Sequence, residues 1–394
     1  MVRTDVVVIG LGAMGAATLY QLARRGVQAI GIDRFSPPHD QGSSHGETRI
    51  TRCAVGEGNE LVPLVTRSHE IWRALEAETG ESLLETCGFL MMAPKGVRTG
   101  HHGKTDFLNR TIAVARRHAI PHEQLDAAEI SARFPAFLLR GDEEGCFEPG
   151  GGFVRPELCI ATQLKRGAAL GASIMTGRAV TAVNPGAACV RVETDAGVIE
   201  ADRVVVAAGA WAGKLLGPAF APLLVPRRQV LHWFPVADVA LHVPGACPSY
   251  VWMHGTRPED YFYGLPAQPG ADCVKVATEQ YVDATDPDTA KREVQARERM
   301  GMFATHIEGR LRGAAPAPGR SAACLYTVTP DSGFVIDKHP NSDRIIAISA
   351  CSGHGFKHSA AIGEAVAQLV TSGRCDLDLE PFRLSRRQEG VVQR

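Results

Sequence analysis

The sequence contains no CxxC pair, although it has ten cysteines. A disulfide framework or a cysteine-bound zinc site is therefore not expected, and reduced thiols fit the pattern better. It also lacks an excess of either charge, since 42 Lys and Arg residues face 43 Asp and Glu residues, for a formal net charge of -1. This balance gives no electrostatic reason to expect a nucleic acid or an anionic membrane as partner.

Long apolar runs are missing as well. No segment reaches the roughly 18 uninterrupted apolar residues of a membrane span. The first residues, MVRTDVVVIG, lack the longer apolar stretch and the cleavage site of a signal peptide. We therefore expect a cytoplasmic protein without a membrane span. The length of 394 residues favours about two domains.

A strand, a glycine-rich turn, a helix and an acidic residue follow one another near the start of the chain. The segment DVVVI at 5–9 is typical of a buried parallel strand, and the turn GLGAMG places glycine at Gly10, Gly12 and Gly15. A helical pattern and a second β-rich run lead to Asp33, 23 residues after Gly10. Such glycines let the backbone approach a pyrophosphate at a helix N-terminus, and the acid accepts hydrogen bonds from a ribose. This pattern predicts a dinucleotide site, with a merely structural turn as the alternative.

Two later segments favour a flavin dinucleotide over NAD, which the turn alone cannot distinguish. RVVVAAGAW at 203–211 is typical of a buried strand that ends in small residues. CSGHGFKHSAAIGEAVAQLV at 351–370 is a glycine-rich turn that leads into an amphipathic helix. A helix N-terminus near the flavin pyrimidine would stabilise the negative charge that reduction brings. A capped helix without a ligand stays open as the alternative.

Five segments together resemble one family, the monomeric sarcosine oxidases and N-methyltryptophan oxidases among bacterial flavin amine oxidases. They match in order and spacing, and the similarity is weakest between about residues 90 and 250. The segments are GLGAMG (10–15), PPHDQGSSHGETRITR (37–52), GEG (56–58), CLYTVTPD (324–331) and SGHGFKHS (352–359).

The resemblance implies an FAD-dependent oxidase of an N-methyl or cyclic secondary amino acid. Members of the family pass a hydride from the carbon beside the amine to the flavin, and O2 then reoxidises the flavin to give hydrogen peroxide. We accordingly expect a monomer whose partners are a small secondary amino acid and O2. The alternatives are an NAD-dependent dehydrogenase and a flavoprotein that binds a metabolite or partner without turnover.

The resemblance also implies how the cofactor is held. Cys324 matches the cysteine whose sulfur bonds covalently to the 8α-methyl carbon of the flavin, whereas a packed core thiol is the alternative. No metal site is expected. We expect FAD contacts at Gly10, Gly12, Ala13, Met14, Gly15, Asp33, Arg34, Gly42, Ser43, Ser44, Arg49, Ile50, Val180, Gly209, Trp211, Cys324, Gly353, His354, Gly355, Phe356 and Lys357.

Four basic residues match catalytic positions of the family. Arg52 and Lys357 match the pair that binds the substrate carboxylate. Lys275 matches the lysine that faces the flavin and activates oxygen, although a lysine on an edge strand that faces water is the alternative. Arg49 matches a second cation near the flavin ring. These assignments are implied by the resemblance.

Three further residues complete the expected catalytic set. Tyr263 and Tyr326 match aromatic residues that line the substrate pocket, and both also suit a protein core. His45, Arg49 and Arg52 have the spacing i, i+4 and i+7, so they would share one face if this stretch is helical.

The chain departs from the family pattern at three positions. Cys53 and Val55 replace a histidine and a tyrosine before the GEG segment, and Glu279 stands where a histidine is usual near the flavin. A carboxylate at this place would change the electrostatic potential of the pocket. The identity of the amine is therefore left open.

The expected fold is α/β, with two parts. A doubly wound, Rossmann-like FAD domain is expected over 1–85, 150–225 and 320–394. An α+β substrate domain that contains an antiparallel sheet is expected over 86–149 and 226–319.

Overall fold

The computed structural model describes residues 2–389 of the chain. Within these residues the strands are β1 (Val2–Ile9), β2 (Ala29–Ile32), β3 (Arg49–Thr51), β4 (Leu84–Glu85), β5 (Phe89–Pro94), β6 (Glu123–Asp126), β7 (Glu143–Glu148), β8 (Gly152–Val154), β9 (Ser173–Met175), β10 (Val180–Pro185), β11 (Val190–Thr194), β12 (Gly197–Val206), β13 (Val225–Pro235), β14 (Ser249–Met253), β15 (Tyr261–Leu265), β16 (Cys273–Ala277), β17 (Arg320–Val328), β18 (Val335–His339) and β19 (Ser342–Ser349). The α-helices are α1 (Ala13–Arg24), α2 (Val62–Thr79), α3 (Phe107–Arg117), α4 (Ala127–Arg133), α5 (Pro156–Ala169), α6 (Ala212–Leu216), α7 (Ala296–Met302), α8 (Ser359–Ser372) and α9 (Leu384–Glu389).

The first sheet has a parallel centre, in which β1 lies between β12 and β2, and β2 pairs with β9. The other edge of β12 pairs with β11 and, near its end, with β19. Apolar residues alternate between the two faces of β1. Val6 and Val8 pack toward α1, α5 and α8, whereas Val7 and Ile9 pack toward α6. A strand buried on both faces is what a doubly wound sheet requires, so this part of the fold prediction is confirmed.

The second sheet has the strand order β17-β13-β16-β15-β14-β5-β7-β6, and every neighbouring pair is antiparallel except β14 with β5. One face packs an aromatic core that includes Trp252 and Phe262. The opposite face carries Val251, Tyr261 and Tyr263, because successive side chains of a strand point to opposite sides. This antiparallel sheet confirms the second part of the fold prediction.

Two local interpretations of the sequence are wrong. The stretch that contains Arg49 and Arg52 is not helical, since Arg49–Thr51 forms β3 and pairs with β8, so the i, i+4, i+7 spacing from His45 does not create a helical face. Lys275 does not lie on an edge strand that faces water. Its strand β16 pairs on both sides, with β13 and β15, and the residue is only 3% exposed.

The strands of the first sheet lie inside the ranges expected for the FAD domain. The second sheet includes β17, Arg320–Val328, which the expected boundary assigns to the FAD domain. The division into domains itself stays a prediction. None of the helices within residues 2–389 combines the length and the apolar character that a membrane crossing requires.

Candidate active site

A long cleft runs along the carboxyl ends of the parallel strands. Its empty volume is about 1870 Å³, including the part that is open to solvent. Gly10 follows β1, Asp33 follows β2 and Ala207 follows β12, and all three line the cleft. Ligands of doubly wound sheets bind at this edge. The cleft is therefore the candidate cofactor site.

The glycine-rich turn brings backbone amides to the wall of the cleft. Gly10 has a φ of +85°, and a Cβ there would lie 2.6 Å from the carbonyl oxygen of Ala207, so only glycine fits. Helix α1 begins at Ala13, and its N-cap, Gly12, supplies no side-chain hydrogen bond. Gly12 and Ala13 both line the cleft. Backbone amides at a helix N-terminus favour an anion such as a pyrophosphate.

Asp33 lines the cleft, and backbone hydrogen bonds fix the orientation of its carboxylate. Its Oδ2 accepts a hydrogen bond from the backbone N–H of Leu11 at 2.7 Å, and its Oδ1 accepts one from that of Phe35 at 2.8 Å. A carboxylate accepts about four hydrogen bonds in all. Further lone pairs of Asp33 therefore suit the hydroxyls of a ribose.

A loop after β16 crosses the same end of the cleft through Asp288. Its Oδ1 accepts hydrogen bonds from Arg34 Nη1 at 2.5 Å and from Trp211 Nε1 at 2.8 Å. Its Oδ2 accepts one from Lys214 Nζ at 2.6 Å. All four residues line the cleft. We call this contact the Asp288 strap.

The lining of the cleft fits an FAD molecule, because it combines backbone amides, close glycine surfaces and a fixed carboxylate. Most of the expected cofactor residues line it, whereas five lie outside its lining. The lining set is Gly10, Gly12, Ala13, Met14, Asp33, Arg34, Gly42, Ser43, Ser44, Arg49, Val180, Gly209, Trp211, Gly353, Gly355 and Phe356. The five others are Gly15, Ile50, Cys324, His354 and Lys357.

Two thiols lie at the cleft or close to it. Cys324 is completely buried in β17, and burial raises the pKa of its thiol to about 11, against the lowering effect of Arg49. Cys351 lines the cleft, with its Sγ 3.7 Å from Ser43 Oγ. Both cysteines belong to one apolar cluster. Position alone therefore offers two candidates for a bond to the cofactor.

Two basic side chains in the same region are fixed by backbone carbonyl groups, and one of them, Arg49, lines the cleft. Arg49 donates to the carbonyl oxygens of Thr48 at 2.8 Å and of Ser43 at 2.7 Å. Lys275 Nζ donates to those of Gly46, at 2.9 Å, and Thr48. Burial, reinforced by Arg49, lowers the pKa of Lys275 well below its usual range. The two residues come from distant parts of the chain, yet they share one acceptor.

His45 lies close to this pair of basic residues. It is 6% exposed, and burial together with Arg49 lowers its pKa to about 3, so the ring is neutral at pH 7. Its Nε2 has no hydrogen-bond partner among residues 2–389. Its catalytic role stays a prediction.

Arg52 and Lys357 are brought together around the carboxylate of Glu57. Arg52 Nη2 donates to the two oxygens of Glu57 at 3.1 and 3.2 Å, and Lys357 Nζ lies 3.8 Å from Glu57 Oε1. Lys357 Nζ also donates to the carbonyl oxygen of His354 at 2.8 Å. Burial, reinforced by Arg52 and opposed by Glu57, lowers the pKa of Lys357 to about 7. We call Arg52 and Lys357 the basic pair.

His102 connects Glu57 to a second buried carboxylate, Glu279. Its Nδ1 lies 3.1 Å from Glu57 Oε1, and its Nε2 lies 3.1 Å from Glu279 Oε2. Although burial alone would lower the pKa of His102, Glu279 and Glu57 raise it. The same Glu279 oxygen accepts from the hydroxyls of Tyr261 and Tyr281, each at 2.9 Å. The ring therefore lies between two carboxylates that both favour its protonated form.

The charge on Glu279 follows from these contacts. Burial alone would raise its pKa, but His102 and then the Tyr261 hydroxyl lower it to about 2. The rings of His101 and His102 lie 3.7 Å apart at an angle of 38°, and together with Glu279 these residues place three potential metal-ligand atoms within 4.8 Å of one another. Both nitrogens of His102 already contact carboxylate oxygens.

The two expected pocket tyrosines lie together. Tyr326 lines the cleft, and Tyr263 packs against the same apolar cluster as Tyr326. Burial raises the pKa of both phenols, so they are neutral. Tyr263 keeps some exposure, unlike a residue that only fills a core.

Sequence reasoning missed part of this site. Glu57 lies in the matched GEG segment, but no role was predicted for it. The sequence around His102, Tyr261 and Tyr281 shows only a histidine pair and isolated aromatic residues, which do not indicate a site. Of the departures from the family pattern, Glu279 is at the centre of the cluster.

The other two departures lie outside it. Val55 is in the core beneath α1, and the backbone N–H of Cys53 donates to Glu148 at 2.7 Å. The roles predicted for the individual site residues stay predictions.

Comparison with known proteins identifies the family. The profile described as "FAD dependent oxidoreductase" matches residues 5–369. Monomeric sarcosine oxidase from Bacillus sp. (strain B-0618) is 34% identical over 385 residues, which cover 97% of this chain and 96% of that protein. N-methyl-L-tryptophan oxidase from Yersinia pestis (strain Pestoides F) is 33% identical over 391 residues, which cover 97% of this chain and 99% of that protein.

Solved structures show the same fold. NikD, described as an unusual amino acid oxidase essential for nikkomycin biosynthesis, superposes with a TM-score of 0.84 at 24% identity and covers 97% of this chain and 98% of its own. Glycine oxidase from Geobacillus kaustophilus gives a TM-score of 0.76 at 22% identity, with 98% and 99% covered. The NAD-dependent alternative is therefore wrong, and the chain belongs to the FAD-dependent oxidoreductase family, together with the monomeric sarcosine oxidases and N-methyl-L-tryptophan oxidases.

Proposed function

We propose that this enzyme oxidises a secondary amino acid, N-methylated or cyclic, and passes the electrons to O2 with formation of hydrogen peroxide. The observation that carries the proposal is the basic pair, Arg52 and Lys357, which is buried close to the cofactor cleft. A buried pair of basic side chains is suited to a substrate carboxylate. Relatives named for the oxidation of sarcosine and of N-methyl-L-tryptophan, both N-methyl amino acids, support the same substrate class.

Arg52 still has a free donor for this carboxylate. Its Nε is buried and has no hydrogen-bond partner among residues 2–389. A buried donor without a partner costs about 1–3 kcal/mol. A substrate carboxylate that contacts Arg52 and Lys357 would satisfy this donor and orient the carbon that reacts. Glu57 would share the basic pair with the substrate.

When bound in the cleft, FAD supplies the two-electron acceptor for the carbon beside the amine. Arg49 and Lys275 supply fixed donors at the base of the site, and Lys275 Nζ holds its proton between two carbonyl oxygens. Negative charge that develops nearby strengthens the hold of Lys275 on that proton, since opposite charges favour the protonated form. We assign Lys275 to the reaction with oxygen for this reason. Tyr263 and Tyr326 border the site and exclude water.

We further propose that the flavin is attached covalently through Cys324. The CLYT segment followed by PD supports this position, whereas Cys351 is the thiol that lines the cleft. Mass spectrometry of the denatured protein should show an FAD adduct on the peptide that contains Cys324. The variant Cys324→Ser should release its flavin into acid supernatant, and Cys351→Ser should retain it. An adduct on Cys351, or complete release from the unchanged protein, would contradict the proposal.

The test of the whole function is a panel of amines that includes sarcosine, N-methyltryptophan, pipecolate and proline. We expect at least one of them to bleach the flavin anaerobically and to release peroxide when air is admitted. Bleaching without peroxide would indicate a dehydrogenase. Binding without bleaching by any amine would favour a flavoprotein that binds a metabolite or partner without turnover.

A further inference from the structure

Glu279 has one oxygen that is fully engaged and one that is free. The side chain is 4% exposed, and three donors, from His102, Tyr261 and Tyr281, all contact Oε2. None of the hydrogen bonds formed by residues 2–389 involves Oε1. A carboxylate oxygen without a donor, on a side chain so largely shielded from water, favours a ligand that supplies one. Three donors on a single atom also fix the direction in which Oε1 points.

The free oxygen lies beside a residue that lines the cofactor cleft, and the same carboxylate is linked to the basic pair through His102 and Glu57. Gly353 lines the cleft with a φ of +87°, and a Cβ on it would lie 3.0 Å from Glu279 Oε1 and 2.6 Å from Tyr281 Oη. Glycine at this position therefore leaves Oε1 uncovered. On the other side, His102 lies 3.1 Å from both Glu279 Oε2 and Glu57 Oε1, and Glu57 Oε1 lies 3.8 Å from Lys357 Nζ. A ligand that contacts Lys357 and extends along the surface beside Gly353 would bring its neighbouring atoms close to Oε1.

The chemistry of a free carboxylate oxygen restricts what it binds. An ionised carboxylate accepts hydrogen bonds and donates none. In an amino acid the amine stands one carbon away from the carboxylate, and in its ammonium form it carries N–H donors and a positive charge. The basic pair and Glu279 thus form two points of opposite charge.

We propose that Glu279 Oε1 binds the amine nitrogen of the substrate in its ammonium form, so that the site selects zwitterionic amino acids over acids that lack a basic nitrogen. This inference rests on the proposed function for its substrate class. It assigns a binding role to a carboxylate at a position where a histidine is usual in the family.

A consequence for the pH dependence follows. The ammonium must lose its proton to solvent before the neighbouring carbon can give up a hydride, because the nitrogen lone pair forms the new C=N bond. A carboxylate contact stabilises the ammonium and raises the pKa of the bound amine. The rate of flavin reduction should therefore reach its plateau at higher pH than it would without Glu279. His102 and Lys357 face the same space, so the comparison requires a variant that keeps both.

The experiment compares two ligands of nearly equal shape on holoenzyme and on Glu279→Gln. Sarcosine carries the amine, and (methylthio)acetate has sulfur in place of nitrogen. In the variant we expect kcat/KM for sarcosine, or for the best substrate of the panel, to fall about 10- to 150-fold, the usual range for a hydrogen bond to a charged group. The Kd of (methylthio)acetate, from the perturbation of the flavin spectrum, should change by less than about threefold. The plateau of the reduction rate should move to lower pH.

Equal losses for both ligands, or an unchanged pH profile with unchanged kcat/KM, would overturn the proposal. Tyr281→Phe provides a second variant, because it removes one donor from Oε2 and leaves the charge of Glu279. It should keep the preference for the amine over the sulfur ligand, and loss of that preference would also count against the role of Oε1. If no amine reduces the unchanged enzyme, the proposed function fails. In that case Glu279 is still tested by binding alone: the Kd values of an ammonium-bearing amino acid and of (methylthio)acetate are compared on the unchanged holoenzyme and on Glu279→Gln.

Discussion

The cofactor cleft and the charged cluster beside it are built in opposite ways. At the turn after β1, the cleft takes its shape from backbone and glycine within one short stretch of sequence, 10–15. The cluster of Arg52, Glu57, His102, Glu279 and Lys357 is made of side chains from widely separated stretches. The nucleotide-binding turn is thus formed by residues that are consecutive in the sequence. The substrate site is formed by residues that only the tertiary fold brings together.

The two regions also differ in how their charges are solvated. At the strap, Arg34, Lys214 and Asp288 are 51%, 47% and 36% exposed, whereas Arg52 and Glu57 are 4% and 3% exposed. Exposed ion pairs contribute about 0–1 kcal/mol, while loss of one partner from a buried pair costs about 3–5 kcal/mol. Substitutions should therefore have large effects in the cluster and around Lys275, and small ones at the strap.

The largest effect is expected at Lys275, whose buried amino group is held by two carbonyl groups. Lys275→Met should slow the reaction of pre-reduced enzyme with O2 by about 10²- to 10³-fold, because it removes a fixed electrostatic stabiliser from a site closed to bulk water. Anaerobic reduction by substrate should change much less, since Arg49 remains. Stopped-flow measurement separates the two half-reactions, and the exposed Lys338→Met serves as control. If reduction collapses while reoxidation is unchanged, Lys275 acts on the substrate.

Arg52 should give the next largest effect, on the affinity for carboxylates. Arg52→Met removes a charge-assisted contact, so we expect affinity for a carboxylate substrate to fall about 10- to 150-fold. Reaction with a secondary amine that has no carboxylate should scarcely change. Arg117→Met, on the exposed end of α3, is the matched control. Similar losses on both substrates would show that Arg52 supports the site rather than the carboxylate.

The pH dependence of binding tests Lys357 in the cluster. Its pKa of about 7 means that the amine is charged below pH 7 and neutral above it. A bound carboxylate stabilises the charged form, so affinity should be constant at low pH and fall as the pH rises through 7, toward about tenfold per unit. The ligand should lack an amine, as (methylthio)acetate does.

Neighbouring groups set the controls for this measurement. Burial lowers the pKa of His354 to about 3 and that of His358 well below its usual range, so both stay neutral near pH 7. The pKa of Glu279 is about 2 and that of Glu57 is well below its usual range, so both stay ionised. His102 has a raised pKa. Lys357→Gln should therefore abolish the dependence near pH 7, and its persistence would assign the titration to His102.

The smallest effect is expected at the strap. Asp288→Asn removes a charge that three exposed or half-exposed donors share, and such surface contacts contribute about 1 kcal/mol or less. FAD affinity of the Cys324→Ser enzyme should therefore weaken by about fivefold or less. Asp343→Asn, also exposed, is the control. A loss as large as that at Arg52 would mean that the comparison of exposed and buried charges does not hold for this cleft.

Prediction from the sequence succeeded where all parts of a motif lie in one continuous stretch. The strand, the turn with Gly10 and the acid Asp33 follow each other within 29 residues of Asp5, and the structure places both residues on the wall of one cleft. Prediction failed where the same residue spacing is compatible with both a helix and a strand. The interval between His45, Arg49 and Arg52 suits a helix, but hydrogen bonds to β8 make this stretch a strand.

The position of Lys275 could not be predicted from its own segment, because an apolar run with one lysine suits an edge strand as well as a central one. Its neighbours on both sides, β13 and β15, decide that it is buried. Likewise, the local sequence does not show which of the two cysteines near the cleft lies at its surface. Only the packing shows that Cys351 lines the cleft, whereas Cys324 is buried outside its lining.

By itself the sequence determined that the chain binds a dinucleotide on a doubly wound sheet, since glycine conformation, strand burial and helix start are properties of consecutive residues. Only the tertiary structure decided which charges meet. His102 and Glu279 are 177 positions apart, and Glu57 joins them to Arg52 and Lys357. The strength of an ionic contact depends on the distance between the charges and on the exclusion of water. Neither can be predicted from the order of residues in the sequence.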